Sequence, residues 1–109
     1  MRTWTEEELE RLDQYDDLVL LKKVKYFVEE RQFESCHEAA GEVAQNFGLT
    51  PVRGVWLCGF EHSWCLTKHG NVIDPYPVGT VGGPLLVTKE LVSDWMYVPD
   101  GKRARSLMI

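Results

Sequence analysis

The segment from Ser35 to Gly48 constrains the fold most, because it has both a start and a stop signal for one helix. Ser35 is a favoured N-cap residue, and Glu38 follows at the spacing of a capping box. Apolar residues then recur at three- and four-residue intervals as far as Phe47. Gly48 offers the left-handed conformation that ends many helices. These signals predict a helix from Ser35 to Phe47.

Cys36 would be the first residue of this helix. Unpaired backbone N–H groups and the macrodipole favour negative charge at that position, which is one way in which proteins hold a thiolate ready. A thiolate nucleophile also needs a base, and the base needs an acceptor that orients it. His62 and Asp74 are the candidates, so the predicted catalytic residues follow the chain order Cys, His, Asp.

The loop between the strands that carry His62 and Asp74 decides whether the two side chains can meet. A two-residue turn at 70–71 would place them on opposite faces, because side chains alternate along a strand. A three-residue loop over 68–70, with Gly70 in the left-handed position, pairs Thr67 with Asn71 and makes them diagonal neighbours. A five-residue loop would set them directly opposite each other. The triad therefore predicts a loop of odd length.

The rest of the pattern predicts an α+β fold, with N-terminal helices packed on a small antiparallel sheet. A second capping box, Thr5 with Glu8, opens a long helix over 1–34, with a break near Asp16 and Asp17. The chain is expected to form a single domain over 1–109, with a helical segment over 1–34, a core over 35–98 and a basic tail over 99–109. Strands are predicted over 52–60 (with bends at Gly54 and Gly59), 62–67, Val72–Asp74, Leu85–Val87 and 96–98. A glycine-rich loop that could cover a cleft is predicted over 78–88. A short helix or a strand is predicted over 88–95.

Charge and hydropathy limit the classes of function. The formal net charge of −5 argues against a nucleic-acid binder, and no apolar run approaches the ~18 residues of a membrane span. Three cysteines do not suggest a disulfide framework. With no signal-peptide pattern we expect a cytoplasmic protein, while delivery by a leaderless route and the oligomeric state stay open.

The motifs together resemble the transglutaminase-like branch of the papain-like fold, and they are similar to small papain-fold toxin domains. The matching residues are Cys36 at a helix start, His62-Ser63-Trp64 on a strand, and Asp74-Pro75 closing the next strand, within about residues 35–77. The resemblance implies hydrolysis, deamidation or acyl transfer on a protein or peptide substrate, without a cofactor. His62 would be the general base and then the acid, and Asp74 would fix its tautomer.

The same resemblance leaves the oxyanion donor and the cleft wall to be assigned. The backbone N–H of Cys36 and the side chain of Gln32 are the candidates for the donor. Trp64 would line the core or the wall of the cleft. The chain is shorter than typical enzymes of this group, so loops or a second subunit would have to supply part of the cleft.

Each of these residues also has a structural interpretation. Cys36 could pack in the core as Cys58 and Cys65 are expected to, His62 could be a hydrogen-bonded structural histidine, and Asp74 could be a turn residue. The spacing of a zinc site is also present in four residues, Cys58, His62, Cys65 and His69. A strand, however, would point these side chains to different sides of the sheet. We therefore expect no metal. The alternative function is a non-catalytic binding or inhibitor module that docks through its acidic first helix.

Overall fold

The computed structural model describes residues 3, 5–56, 60–76, 83–89 and 97–100. Within them the chain forms two helices and five strands, so the predicted α+β class is confirmed. The elements are α1 (Glu6–Glu29), α2 (Cys36–Phe47), β1 (Thr50–Trp56), β2 (Phe60–Leu66), β3 (Val72–Asp74), β4 (Leu85–Val87) and β5 (Tyr97–Pro99). The sheet order is β4-β3-β2-β1-β5, and every neighbouring pair is antiparallel.

Helix α1 begins as predicted but is continuous, so the expected break at Asp16 and Asp17 is wrong. The Thr5 side chain accepts a hydrogen bond from the Glu8 backbone N–H at 3.1 Å. Asp17 lies on the buried side of the helix, where its carboxylate accepts hydrogen bonds from the Thr67 hydroxyl at 2.8 Å and the Asn71 amide at 2.6 Å. These two bonds satisfy the buried carboxylate, so the helix does not have to open to solvate it.

Helix α2 has the predicted start and stop. The Ser35 hydroxyl accepts a hydrogen bond from the Glu38 N–H at 3.2 Å, and the Glu38 carboxylate in turn accepts one from the Glu34 N–H at 3.0 Å. Gly48 ends the helix with φ at +67°, in the left-handed region that favours glycine. The N-terminal end of α2, with Cys36 as its first residue, is therefore fixed by local side-chain chemistry.

The predicted strand over 52–60 is two strands in the structure. Chain reversal between Trp56 and Phe60 sets these two residues opposite each other, and β1 and β2 pair in continuous register from there. Gly54 keeps this register and is not a bend. A Cβ at Gly54 would lie 2.8 Å from the Trp64 ring and 2.1 Å from the carbonyl oxygen of Val98, so glycine there lets β5 and Trp64 approach β1 closely.

The two faces of the sheet are packed differently. On one side, which we call the helix face, α1 and α2 cover Cys65 and Ile73 and form an apolar cluster with them, whose buried members include Val24, Ala40, Val43 and Ala44. The other side, which we call the histidine face, carries His62, Trp64, Val72, Asp74 and Tyr97. Trp64, Val72 and Tyr97 form a second buried cluster there.

Several predictions fall partly or wholly outside the described residues. The predicted strand Leu85–Val87 is present, and the one expected over 96–98 is observed as β5, Tyr97–Pro99. Outside them lie residues 78–82 of the predicted loop over 78–88, the segment 90–96, Cys58, Gly59 and nearly all of the basic tail. Neither helix in the described part of the chain is long and apolar enough to cross a membrane.

Candidate functional site

The loop between β2 and β3 has the odd length that the triad requires. Leu66 pairs with Val72, and the Thr67 N–H donates to the Asn71 carbonyl at 2.9 Å, which leaves three loop residues, 68–70. Gly70 has φ at +84°. The prediction of a loop of odd length is therefore confirmed, in its three-residue form with a left-handed glycine, and this loop brings His62 and Asp74 to the same face.

His62 and Asp74 are in direct contact. The imidazole Nε2 lies 2.7 Å from the Asp74 Oδ2, and both side chains are fully buried. Extending the register by one pair places Trp64 opposite Asp74, so His62 is the diagonal neighbour that the hairpin geometry predicts. A carboxylate at Nε2 favours the tautomer that carries its proton there, which makes Nδ1 the nitrogen that would accept a proton.

The Asp74 carboxylate receives two further hydrogen bonds. The Tyr97 hydroxyl donates to Oδ2 at 2.9 Å, and the Tyr76 backbone N–H donates to Oδ1 at 3.1 Å. Three donors from three parts of the chain thus hold one buried carboxylate. Because the acceptor is fixed in this way, the orientation of the imidazole that it binds is fixed as well.

The contact between Tyr97 and Asp74 also shows that the sheet curls. Tyr97 lies on β5 and Asp74 on β3, with β1 and β2 between them. In a flat sheet these strands would be about 14 Å apart, further than the two side chains can reach. The histidine face is therefore concave. Trp64 and Tyr97 pack edge to face within it at 5.1 Å between ring centroids, and each ring lies beside His62.

Cys36 is half-buried at the start of α2 and forms no disulfide. The next residue, His37, has its Nδ1 2.5 Å from the Ser63 hydroxyl, and further along α2 the Ala40 carbonyl accepts a hydrogen bond from Cys65 at 3.3 Å. Helix α2 thus runs alongside β2 in the same direction. Cys36 directly precedes His37 at the N-terminal end of this helix.

The structure brings together two of the three predicted catalytic residues. His62 points to the histidine face, whereas α2, with Cys36 at its tip, packs on the helix face. Within the described part of the chain, no hydrogen bond joins Cys36 to His62 or Asp74. Gln32 is exposed in the connection between α1 and α2, and Trp64 is 1% exposed inside the concave face.

The other cysteines and histidines do not assemble a zinc site in the described residues. His62 and Cys65 point to opposite faces of the sheet. The His69 Nε2 lies 3.3 Å from the Asp16 Oδ2 at the hairpin loop, and Cys58 is not among the described residues. No group of three His, Cys, Asp or Glu residues that could hold a metal is found among the residues described.

The Cys65 thiol is fully buried on the helix face. Burial, with a smaller contribution from the negative charge of Asp74, raises its pKa from 9.0 to about 12. It therefore stays protonated across the neutral range, as the prediction of a core cysteine requires.

Sequence reasoning missed three polar residues. Tyr97 was expected only as part of a strand, since nothing in a linear pattern shows that its hydroxyl reaches Asp74. No role was predicted for His37, and its contact with the Ser63 hydroxyl was not foreseen. Asp17 did leave a signal, because it lies at the helical spacing of Leu20, Leu21 and Val24 on the buried stripe.

Comparison of the chain with protein-family models, with curated proteins and with solved structures finds no match.

Proposed function

We propose that this protein is a papain-like, transglutaminase-like cysteine enzyme in which Cys36 is the nucleophile, His62 the general base and Asp74 the residue that orients it. The observation that carries the proposal is the buried His62–Asp74 pair at 2.7 Å, formed in the register expected of such an enzyme. The position of Cys36 at a capped helix start, where it is half-buried, adds to it.

Catalysis requires that the Cys36 thiol reach the His62 imidazole, and we place that approach past the end of β3. β3 stops at Asp74, opposite Trp64, so the ladder does not continue along β2 to His62 on that side. Opening at this point would let the His62 Nδ1 take the thiol proton while Nε2 keeps its bond to Asp74.

The chemistry follows from these roles. The Cys36 thiolate attacks the acyl carbon of an amide, ester or thioester in a protein or peptide, and the bond from that carbon to its nitrogen, oxygen or sulfur leaving atom breaks. The His62 imidazolium gives its proton to the leaving group. A water molecule, deprotonated by His62, then cleaves the thioester and regenerates the thiol, whereas an amine in place of water gives transfer.

Thiol reactivity tests the proposal. We expect iodoacetamide at about pH 6 to alkylate Cys36 at least about tenfold faster than a free cysteine, with Cys65 unmodified in the same chain. Peptide mass spectrometry after timed quenching resolves the sites. The His62→Gln variant should lose the enhancement. The matched His69→Gln variant should keep it, because His69 lies at the hairpin loop beside Asp16.

Two results would overturn the enzyme proposal: a Cys36 that reacts no faster than free cysteine, or an enhancement that survives His62→Gln. The second candidate function is then a binding module on the same scaffold. It is favoured by the complete burial of His62 and Asp74 and by the packing of α2 on the opposite face of the sheet. In that case the His62–Asp74–Tyr97 network would serve only to hold the curled sheet together.

A further inference from the structure

The outer side of α1 carries large apolar side chains that the rest of the described fold does not cover. Tyr15 and Tyr26 are 65% and 66% exposed, and Leu18 and Val19 lie between them, also exposed. At about 100° per residue, Tyr15, Val19, Lys22 and Tyr26 fall within a narrow stripe. We call these four residues, with Leu18 at their side, the outer stripe.

The outer stripe lies directly opposite the buried side of α1. The side of α1 that packs into the fold carries Asp17, Leu20, Val24 and Phe27, which lie about half a turn from the stripe. Spacings of four, three and four residues along the stripe are those of a seam between two helices. Lys22, in the middle, can lay its aliphatic stem along such a seam while its ammonium group stays in water.

Charge is distributed unequally along α1. Residues 6–16 contain six acidic side chains and one basic side chain, whereas residues 18–29 contain three lysines and one glutamate. A second copy of the helix that runs antiparallel would place each acidic half beside a lysine-bearing half. A parallel copy would place the two acidic halves together, which electrostatic repulsion opposes.

We propose that the outer stripe is a self-association surface, at which α1 of a second copy of this chain packs antiparallel. The two-fold axis crosses the stripe between Val19 and Lys22, so that Tyr15 of each copy lies near Tyr26 of the other. Two clefts lie along one side of the outer stripe, between α1 and Phe47, and can receive side chains of the second copy. One of about 560 Å³ is bordered by Tyr15, Val19 and Phe47, and another of about 530 Å³ by Tyr26 and Phe47.

The contact is small. One ridge of four apolar side chains and a lysine is modest beside the ~1,200 Å² that specific interfaces usually bury, so we expect a weak dimer that forms with rising concentration. Sedimentation equilibrium of the full chain should give a mass that rises from one copy towards two. Because the charges are complementary, raising the salt from about 0.05 M to about 0.5 M should weaken association.

Variants of exposed residues test the surface without disturbing the core. Leu18→Ser with Tyr26→Ser should weaken dimerisation at least about tenfold, with an unchanged circular dichroism spectrum. Gln45→Ser, on the exposed side of α2, is the matched control and should dimerise like the wild type. A chain that stays monomeric at every concentration, or a double variant that dimerises normally, would overturn the proposal.

Cross-linking tests the orientation. In chains with Cys36→Ser and Cys58→Ser, a short bismaleimide should join two copies through Val19→Cys, which lies near the two-fold axis. It should not join them through Tyr26→Cys, because in an antiparallel pair those two sites lie at opposite ends of the stripe. Cross-links of equal yield at both sites indicate a parallel pair and would also overturn the proposal.

Discussion

Both faces of the sheet carry buried side chains, but different interactions stabilise the two faces. On the helix face, Cys65 and Ile73 pack among alanine and valine side chains of the two helices. On the histidine face, His62, Asp74 and Tyr97 form a hydrogen-bonded network inside a curled sheet. Apolar packing tolerates imprecision, whereas buried polar groups require that each partner be in place. Burying the polar network of the histidine face costs more free energy than apolar packing does, so this face is the one that requires a functional explanation.

The largest expected effect comes from removing the acceptor at the centre of the histidine face. Asp74→Ala removes the buried carboxylate that His62 and the Tyr97 hydroxyl contact, so we expect the free energy of unfolding measured in urea to fall by about 3–5 kcal/mol. Asp16→Ala is the matched control, since Asp16 also lies beside a histidine, at 3.3 Å from His69, but is exposed. It should cost no more than about 1 kcal/mol.

Comparison with the helix face sharpens this test. Ile73→Ala should cost a similar amount, about 2–5 kcal/mol, because it leaves a cavity. However, it should leave the ¹⁵N signals of the His62 ring unchanged, whereas Asp74→Asn should shift them. If the Asp74 and Asp16 variants lose equal stability, the two faces do not differ in the way described.

A smaller effect is expected from the hydroxyl of Tyr97. Tyr97→Phe removes one donor from Asp74 but keeps the ring, so the loss should be about 1.5–3 kcal/mol, with a shift of the His62 ring signals. Tyr76→Phe is the matched control, because Tyr76 binds Asp74 through its backbone N–H and its ring is exposed. Equal effects of the two variants would contradict a role for the Tyr97 hydroxyl.

The smallest effect, counted over any one pH unit, is a dependence of stability on pH that originates on the helix face. The pKa of Cys65 is raised by burial from 9.0 to about 12 in the folded chain. Above pH 9 the unfolded chain loses this proton first, so the free energy of unfolding should fall by up to about 1.4 kcal/mol per pH unit until about pH 12. Urea unfolding of wild type and Cys65→Ala between these values measures the difference. Identical slopes would contradict the raised pKa.

Local signals predicted much of the fold. The capping boxes at Thr5 and Ser35, the left-handed Gly48 and the three-residue loop ending at Gly70 all form as expected. The loop length then fixed which face each hairpin residue occupies, and with it the contact between His62 and Asp74. These features are set by residues close together in the chain, so their spacing is enough to predict them.

Errors arose where the deciding partner lies far along the chain. Asp17 looked like a helix breaker until Thr67 and Asn71, some fifty residues later, satisfied its carboxylate. Gly54 looked like a bend, although its role is to let Trp64 and β5 approach. The strand expected over 52–60 also had to be divided, because apolar residues alone do not show where a chain reverses.

The sequence by itself determined the helix that begins at Cys36 and the hairpin that joins His62 to Asp74, because short-range hydrogen bonds and side-chain alternation specify both. Only the tertiary structure decided that the sheet curls, that Tyr97 shares the carboxylate, and that α2 covers the opposite face from the imidazole. The curvature of the sheet and the face that each helix covers depend on how all five strands and both helices pack together. Residue spacing within one segment cannot predict contacts between segments.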